Sequence, residues 1–395
     1  MKIGSYKFDR VEFAGSLGDF GTLIPLSLAL IIICQLSVTT VFLMIGVFYI
    51  TCGIYYKLPI PVQPLKVVSA IAIAFPAKVT LPVLAASGLI FGAVMLLLSF
   101  TGLINWIAKF FSKPIVRGIQ LGLGFILIGK GIGFIIKPEL LIAQTGEAIV
   151  FFGVSVNLLI GLAGGFLALV LISDKRFPAA LVIVIGGIVV GVFSGALSSL
   201  EFNFGPTPIQ FYLPALGDFT TAAVLLVIPQ IPLTIGNAVI GTTDTCQSLF
   251  KGEEAAKKVT NTALSMSMGL INVVTGFLGG MPMCHGAGGL AAHHRFGART
   301  GGSNLMIGAV FLVIALAFGS IGMALLSSIP NAVLGILLFF AGLELAVLVR
   351  DINEKNDLFV ALLIAGIGYV TTNMGMAFLI GITANYLIKW RKLSL

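Results

Sequence analysis

The chain has 395 residues, of which 58% are hydrophobic and 10% are charged, and its net charge is +8. Because a soluble globular protein carries about 25% charged residues, this composition excludes a soluble domain of this size. The cations lie between apolar stretches, so membrane orientation explains them better than nucleic-acid binding does. The four cysteines lie in apolar sequence, which predicts small buried side chains rather than a disulfide framework or a zinc site.

Apolar stretches of about 20 residues, each long enough to cross roughly 30 Å of hydrocarbon, recur from end to end. We therefore predict an all-α polytopic membrane protein with fourteen transmembrane segments. The first stretch continues into a full span, so the N-terminus carries no cleavable signal pattern. The segments are predicted at 12–33, 38–56, 60–76, 82–103, 114–136, 151–172, 178–198, 217–241, 258–278, 280–294, 303–322, 328–349, 357–372 and 374–390.

The distribution of Lys and Arg predicts the orientation of these segments. With the N-terminus in the cytoplasm, the outer side holds only Lys78 and Lys137, with Lys130 close by. This asymmetry fits the positive-inside rule and predicts a multi-pass protein of the cell (inner) membrane with both termini in the cytoplasm. Seven spans in each half invert the second half relative to the first, which predicts a 7+7 inverted repeat. The cations predicted inside are Lys2, Lys7, Arg10, Lys57, Lys109, Lys113, Arg117, Lys175, Arg176, Lys251, Lys257, Lys258, Arg295, Arg299, Arg350, Lys355, Lys389, Arg391 and Lys392.

The third and tenth segments are unlike ordinary helices. Pro59, Pro61 and Pro64 cannot all lie inside a helix, so this stretch is predicted to be extended, with a helix from Pro64 to about Phe75. The tenth segment repeats the design, because 279–284 reads as extended and a short helix follows from about His285. Both are predicted to be half strand and half helix. Interrupted segments in matching positions of two halves point to a transporter's binding site.

The two short helices are predicted to start near the middle of the membrane with their N-termini facing each other. Each N-terminus carries about +0.5 charge and free N–H groups, so together they form an anion site. The predicted backbone donors are Leu65, Lys66, Ala287 and Gly288, and Gly286 allows close approach of a ligand. An anion would also offset the unfavourable position of Lys66 in a first helical turn. The alternatives for Lys66 are an ion pair with Asp19 or an outward-reaching side chain.

Other polar residues inside the apolar segments complete the predicted site. Intramembrane carboxylates are functional by default, and two helix N-termini plus Lys66 amount to roughly +2, which balances a dianion. Protonation of Asp19 would preserve that balance, so Asp19 is predicted to couple protons, the alternative being a carboxylate paired with Lys66 or the backbone. His285 is predicted to bind substrate or titrate, or to be a buried neutral residue. The remaining predicted substrate contacts are Thr22, Gln63, Gln230, Thr234 and Asn237. The last three share one helix face, and the alternative is that they form polar contacts between helices and do not contact substrate.

Several other patterns have ordinary explanations. Glu344 is predicted to pair with Arg350, and His293 and His294 lack the partners that a metal site needs. No phosphate-binding loop, serine-nucleophile elbow or zinc-protease motif is found, so neither enzymatic activity, ATP coupling nor any cofactor is predicted.

Three motifs together resemble the molybdate transporter type 1 family, and the resemblance covers nearly the whole chain. The first is GDFGTLIP at 18–25, the second is PIPVQPLK at 59–66, and the third is HGAGGLA at 285–291 followed by RFGARTG at 295–301. This family is related to sulfate permeases and, more distantly, to uracil permease. In the wider superfamily, substrate-facing side chains stand where this chain has Gln230 and His285.

The resemblance implies a core domain and a gate domain, each made from both repeats. The core would comprise 12–103 and 217–322, and the gate 114–198 and 328–390. It further implies import of molybdate, or alternatively sulfate, with protons as the coupling ion and with a possible homodimer formed through the gate. The alternative functions are a nucleobase permease, an anion channel and a non-transporting sensor. Sulfate permeases usually carry a cytoplasmic domain after the last span, and the end of this chain at Leu395 favours the molybdate branch.

Overall fold

The computed structural model of the protein describes residues 2–107, 112–141, 149–171, 179–194 and 204–391. These residues form helices joined by short connections, with only three two-stranded ladders among the described residues. The predicted all-α class is therefore confirmed. The cations Lys109, Lys175, Arg176 and Lys392 and the end of the seventh predicted segment lie outside the described residues.

The first half contains nine helices within the described residues. Strands β1 (Lys2–Ile3) and β2 (Tyr6–Lys7) form a small hairpin before them, and β4 (Val150–Phe151) and β5 (Val154–Ser155) form another before the eighth helix. The helices are α1 (Arg10–Ser16), α2 (Phe20–Cys34), α3 (Val38–Tyr56), α4 (Lys66–Ala74), α5 (Leu81–Phe100), α6 (Ile104–Ile107), α7 (Lys113–Ile136), α8 (Val156–Leu171) and α9 (Ala179–Phe193). Strand β3 (Gln63–Pro64) precedes α4.

The second half begins with one long helix, Leu216–Leu249. Its α-helical parts are α10 (Leu216–Ala222), α11 (Ile228–Leu233) and α12 (Thr242–Leu249), separated by π-helical turns. The later α-helices are α13 (Asn261–Phe277), α14 (Ala287–Phe296), α15 (Gly302–Ser327), α16 (Asn331–Val347), α17 (Lys355–Thr371) and α18 (Met374–Arg391). Strand β6 (Met283–Cys284) precedes α14, and a 3-10 turn, Leu348–Asp351, follows α16.

Six helices of the described residues are long and apolar enough to cross a membrane, and a bent pair makes a seventh. The six are Val38–Tyr56, Leu81–Phe100, Lys113–Ile136, Leu216–Leu249, Gly302–Gly319 and Asn331–Asp351. Shorter apolar helices, such as Val156–Leu171 and Ala179–Phe193, accompany them. The chain therefore has the architecture of a multi-pass membrane protein.

The first predicted segment, 12–33, is broken rather than continuous. Helices α1 and α2 meet at an angle of 51°, and Asp19 occupies the N-cap position of α2 instead of lying two turns into a helix. Close packing explains the position of the break, because a Cβ atom on Gly18 would lie 2.7 Å from the carbonyl oxygen of Ala292 in α14. The break therefore sets a carboxylate at a helix start beside the short helix α14.

The eighth predicted segment, 217–241, ends too early, since the helix continues to Leu249. Two π-helical turns, Ala223–Val227 and Thr234–Gly241, flank the part that contains Pro229 and Pro232. A proline inside a helix leaves a carbonyl without its partner, and π turns are a common local adjustment to such a defect. The prolines thus loosen this helix without ending it.

Glycine pairs allow three sets of helices to pack at close range. Helix α7 packs on α16, where a Cβ atom on Gly131 would lie 2.6 Å from the Gly335 carbonyl oxygen and one on Gly335 would lie as close to that of Gly131. Small residues at membrane helix contacts let backbones approach and increase dispersion contacts. The same arrangement joins α3 to α15 through Gly46 and Gly308, and α5 packs on α13 where a Cβ atom on Gly92 would lie 2.8 Å from the carbonyl oxygen of Gly269.

Candidate functional site

Strands β3 and β6 pair with each other at the centre of the protein. The ladder is antiparallel, with Gln63 opposite Cys284 and Pro64 opposite Met283, and all four residues are buried. The N–H of Leu65 extends the ladder by donating to the carbonyl oxygen of Pro282 at 2.9 Å. The predicted change from extended chain to short helix is thus confirmed in both segments. The helices start slightly later than predicted, at Lys66 and Ala287.

The proline-rich segment before β3 has no helix to satisfy its carbonyl groups, and side chains from elsewhere do so. His293 Nδ1 lies 3.0 Å from the carbonyl oxygen of Pro59, and His285 Nδ1 lies 2.9 Å from that of Pro61. Asn304 Nδ2 donates to Ile60 O at 2.7 Å, and the Tyr49 hydroxyl donates to Val62 O at 3.4 Å. Because buried carbonyl groups need partners, these four contacts hold the extended chain at membrane depth.

A single asparagine performs the same task for β6. The side chain of Asn272 in α13 accepts from the N–H of Met283 at 2.9 Å and donates to its carbonyl oxygen at 2.6 Å. Asn272 is completely buried. Both backbone groups of one strand residue therefore depend on this amide.

The N-terminus of α4 is capped from inside the protein. Gln230 Oε1 accepts from the N–H of Val67 at 2.8 Å and of Val68 at 3.4 Å, and its Nε2 donates to Thr234 Oγ1 at 2.9 Å. Gln230 and Thr234 therefore share a face, as predicted, but they are buried and already bonded to the protein. Their contact with substrate stays a prediction. The N–H of Leu65 is likewise used by the strand ladder, whereas Asn237 is only half-buried.

The N-terminus of α14 is left open. The first N–H groups of this helix, on Ala287 and Gly288, have no acceptor among the described residues, and Gly288 is exposed. A Cβ atom on Gly286 would collide with the side chain of Gln63, and one on Gly289 would lie 2.7 Å from Asp19 Oδ2. The two glycines therefore let α14 start directly against the Gln63 and Asp19 side chains.

Asp19 is bonded to Gln63 rather than to a cation. Gln63 Nε2 lies 2.8 Å from both carboxylate oxygens of Asp19, which is buried. The ion pairs formed by the described residues are Lys113–Asp351, Arg117–Asp351 and Lys257–Glu254, so the alternative of a direct Asp19–Lys66 pair is wrong. Gln63 Oε1 is buried without a partner among the described residues. This amide links the starts of α2 and α14.

Lys66 is the first residue of α4 and lies close to two carboxylates, those of Asp19 and Glu344. Its side chain interacts electrostatically with Asp19 and with Glu344, and it is 9% exposed. Within the described chain it forms neither a hydrogen bond nor an ion pair. A buried ammonium without a direct partner is costly, so its geometry favours an anionic ligand.

Glu344 is a candidate site residue that the sequence analysis did not identify. It extends from α16 to the start of α2, where the Thr22 hydroxyl donates to its Oε2 at 3.4 Å and a Cβ atom on Gly21 would lie 3.2 Å from its Oε1. The predicted Glu344–Arg350 pair is absent from the ion pairs of the described residues. The rule that marked Asp19, a carboxylate within an apolar segment, would have identified Glu344 as well.

The exposed surface at Glu344 includes Gly21 and Thr22 at the start of α2, and we call this surface the crevice. A carboxylate facing hydrocarbon is unfavourable, so this opening is most simply an aqueous one. The start of α2, which borders the crevice, also packs on α14, since a Cβ atom on Gly18 would lie 2.7 Å from the carbonyl oxygen of Ala292.

His285 lies outside the crevice and is fully buried. Its Nδ1 contacts Pro61 O, and its Nε2 lies 2.8 Å from the hydroxyl of Ser267, which is itself 3.0 Å from the hydroxyl of Tyr56. Both ring nitrogens are therefore engaged, as in the alternative of a neutral structural histidine, and a contact of His285 with substrate stays a prediction. No group of three His, Cys, Asp or Glu residues in the described chain could hold a metal ion.

Comparison with known proteins agrees with this architecture. Residues 11–127 and 222–345 match the family described as "Molybdate transporter of MFS superfamily". Molybdate transporter 2 of Arabidopsis thaliana is 30% identical over 97% of this chain and 88% of its own length. Molybdate transporter 1 of Chlamydomonas reinhardtii is 29% identical over 94% of this chain and 90% of its own length.

Two solved structures share the fold at low sequence identity. The transmembrane domain of the cyanobacterial bicarbonate transporter BicA has a TM-score of 0.66 at 16% identity, covering 96% of this chain and 98% of that one. The murine anion transporter Slc26a9 in its inward-facing state has a TM-score of 0.71 at 17% identity, covering 99% of this chain and 70% of that one. The matched segments, the coverage and the fold together show that this chain is a multi-pass membrane protein of the molybdate transporter family, a family of transporters and not of enzymes.

Proposed function

We propose that this protein is a secondary active transporter that imports molybdate, and that the anion binds between Lys66 and the open N-terminus of α14. The observation that carries the proposal is the buried Lys66 ammonium without a direct partner, which interacts electrostatically with Asp19 while Asp19 packs against Gly289 in the open first turn of α14. Helix N-termini and lysine ammonium groups both favour oxyanions. Thr22, which donates to Glu344, and Gln63, which donates to Asp19, would supply further polar contacts.

Molybdate is favoured over sulfate because the curated relatives are named molybdate transporters. Both ions are tetrahedral dianions, so the site itself would accept either. Sulfate remains the alternative substrate, and competition against labelled molybdate separates the two.

We also propose that the chain forms a 7+7 inverted repeat, with core 12–103 and 217–322 and gate 114–198 and 328–390. Helix packing supports this proposal, because α3 contacts α15 and α5 contacts α13. In the repeat, the second segment (α3) corresponds to the ninth (α13), and the fourth segment (α5) to the eleventh (α15). The symmetry would then map the α3–α15 pair onto the α13–α5 pair. The fifth and twelfth segments, α7 and α16, contact each other as the pair on the symmetry axis would.

The membrane arrangement follows from the same scheme. Both termini lie in the cytoplasm of a cell (inner) membrane protein, as the positive-inside rule favours. Arg295 near the end of α14 and Arg350 in the turn after α16 then lie on the cytoplasmic side, and Glu344 lies in α16 shortly before that turn. We therefore expect Glu344 to lie in the cytoplasmic half of the membrane.

Asp19 is the proposed proton-coupling residue. It is buried next to the proposed anion, and its ionised form would repel a dianion, whereas its protonated form would not. Binding of the anion and of a proton would therefore be favourable only together.

Uptake of labelled molybdate into proteoliposomes, with and without a pH gradient, tests the function. We expect Lys66→Ala to weaken molybdate binding at least tenfold, since loss of one direct charge–charge hydrogen bond to a ligand costs about 1.5–3 kcal/mol. Lys355→Ala, at the exposed start of α17, is the matched control and should bind molybdate normally. Unchanged molybdate affinity in Lys66→Ala would contradict the proposed site, and absence of molybdate uptake by the unmodified protein would contradict the proposed function.

A further inference from the structure

We propose that Glu344 is a second site for a transported proton, so that each oxyanion dianion crosses with two protons, one on Asp19 and one on Glu344. This inference rests on the proposed function, and it adds the coupling stoichiometry and the residue that sets it. Glu344 belongs to α16, whereas Asp19 precedes α2, so the two carboxylates lie on elements assigned to different domains.

The two carboxylates face the same charged groups. Thr22, one turn after Asp19, donates its N–H to the Asp19 carbonyl at 3.0 Å and its hydroxyl to Glu344 Oε2 at 3.4 Å. Lys66 interacts electrostatically with both carboxylates, and they interact with each other. Glu344 and Asp19 are thus two acidic neighbours of one cation.

The other cations on the elements that pack against α16 have partners of their own. Helices α8 and α9, which also pack on α16, contain no ionisable residue. On α7, Lys113 and Arg117 are bonded to Asp351, which lies in the turn after α16 with Arg350, and Lys130 stands over the ring of Phe75. The groups that face Glu344 are therefore Asp19, Lys66 and the hydroxyl of Thr22.

Counting charge gives the stoichiometry. The helix dipoles of α4 and α14 contribute about +0.5 each at their N-termini, since the neutral Gln230 amide caps α4 without removing its dipole, and Lys66 contributes +1, so the positive total is roughly +2. Two ionised carboxylates cancel this total when the site is empty, which stabilises the empty carrier. A dianion restores the balance only if both carboxylates are neutral, because each ionised carboxylate left beside it adds an uncompensated negative charge. Two protons must therefore enter with the dianion and leave with it, and the whole cycle moves no net charge.

The location of Glu344 also accounts for coupling to movement. Its contact with Thr22 joins α16 to α2 across the crevice, so its protonation state changes the interaction between the proposed core and gate. When no oxyanion is bound, the ionised carboxylate of Glu344 interacts electrostatically with Lys66. A protonated Glu344 leaves Lys66 to the anion, so binding of substrate and release of this contact occur together.

The test measures the accumulation ratio of labelled molybdate in proteoliposomes at steady state. For the unmodified protein, two protons per dianion predict an approximately hundredfold change per unit of imposed pH gradient and no response to membrane potential. Glu344→Gln keeps a neutral side chain and carries one proton fewer. It should respond only tenfold per pH unit and should accumulate tenfold less for each 59 mV of inside-negative potential.

Three controls make the result decisive. Glu354→Gln changes an exposed carboxylate at the N-cap of α17 and should behave like the unmodified protein. Asp19→Asn, which removes the other proton, should show the same one-proton response as Glu344→Gln. Counterflow of labelled against unlabelled molybdate, which needs no net proton movement, reports whether each variant folds and binds.

The possible results separate this inference from the proposed function. If the unmodified protein shows no molybdate uptake or counterflow, the proposed function fails. If it transports molybdate and Glu344→Gln keeps the hundredfold response and stays indifferent to potential, only the Glu344 proposal is overturned. Loss of counterflow in Glu344→Gln with normal counterflow in Glu344→Asp would also overturn it, since a neutral amide should replace the protonated acid. A one-proton response in Glu344→Asp would also overturn the Glu344 proposal, since aspartate keeps a carboxylate that can carry the second proton.

Discussion

The imidazole of His285 connects two parts of the protein that would otherwise leave polar atoms unsatisfied. It contacts the carbonyl oxygen of Pro61 on one side and the hydroxyl of Ser267 on the other, and no part of it is exposed. A neutral imidazole with one donor and one acceptor nitrogen satisfies both contacts. At the level of the single residue, His285 thus has a structural explanation that requires no titration.

We expect His285→Gln to lower thermal stability and to leave the response of molybdate uptake to a pH gradient unchanged. The shorter amide cannot reach both partners, and one unsatisfied buried group costs about 1–3 kcal/mol. Differential scanning fluorimetry in detergent measures the first effect and proteoliposome uptake the second. His294→Gln, on the next residue, is the control, because that side chain is only partly buried. An altered number of protons per molybdate in His285→Gln would show that the imidazole does carry a coupled proton.

Single residues differ in how far the sequence could specify them. The position of Lys66 at a helix start followed from the prolines before it, because Pro64 cannot continue a helix from the preceding turn. Glu344 could have been recognised as an intramembrane carboxylate, but its partner Thr22 is 322 residues away in the chain. Periodicity gives the face of one helix and not the identity of the helix opposite. For the same reason, the cap that Gln230 forms on α4 could not be foreseen.

At the level of elements, the two extended segments depend on polar side chains from distant helices. The sequence predicted the segments themselves, because prolines and glycines disfavour helix there. It did not predict their partners, since His293, Asn304 and Asn272 could equally be surface or interhelical residues by type alone. Extended backbone inside a membrane requires such partners, so each of these side chains becomes explicable once the strand pair is known.

Asn272 offers a direct test of this dependence. In Asn272→Ala, both the N–H and the carbonyl of Met283 lose their partner, and we expect destabilisation of about 1–3 kcal/mol for each group. Because β6 leads into α14, molybdate affinity should fall as well. Thermal unfolding and equilibrium binding of molybdate measure the two effects.

The matched control for Asn272→Ala is Asn353→Ala, which removes the same amide from an exposed position before α17. This control should unfold and bind molybdate like the unmodified protein. If Asn272→Ala were as stable as its control, the strand pair would not need the amide, and a bridging water would be the better explanation.

At the level of the whole molecule, the close helix pairs suggest two rigid bodies. Glycine contacts lock α3 to α15 and α5 to α13 within the proposed core, and α7 to α16 within the proposed gate. The sequence predicted the segments and their opposite orientation in the two halves from cation placement. It did not predict the break at Asp19 or the extension to Leu249, because both arise from local packing and π-helical adjustment that hydropathy does not report.

If core and gate move against each other during transport, a covalent link between them should stop the cycle. The Thr22 and Glu344 side chains touch across this boundary, with their oxygens 3.4 Å apart. In a protein whose four native cysteines are replaced by alanine, we expect oxidation of a Thr22→Cys, Glu344→Cys pair to reduce molybdate counterflow at least about tenfold, because alternating access requires domain movement. Reduction of the disulfide should restore counterflow.

The comparison pair for this cross-link is Ser37→Cys with Thr207→Cys. The native hydroxyls are 2.8 Å apart, Ser37 at the N-cap of α3 in the proposed core and Thr207 in the segment before α10, outside both proposed domains. Oxidation of the cysteine pair should form a disulfide without slowing counterflow, since it joins the core to a connecting segment that already bonds to α3 through Thr39 and not to the gate. Equal counterflow in both oxidised proteins, with both disulfides verified by mass spectrometry, would mean that α2 and α16 keep their relation throughout transport. The boundary between the moving parts would then have to lie elsewhere, and Glu344 would travel with the anion.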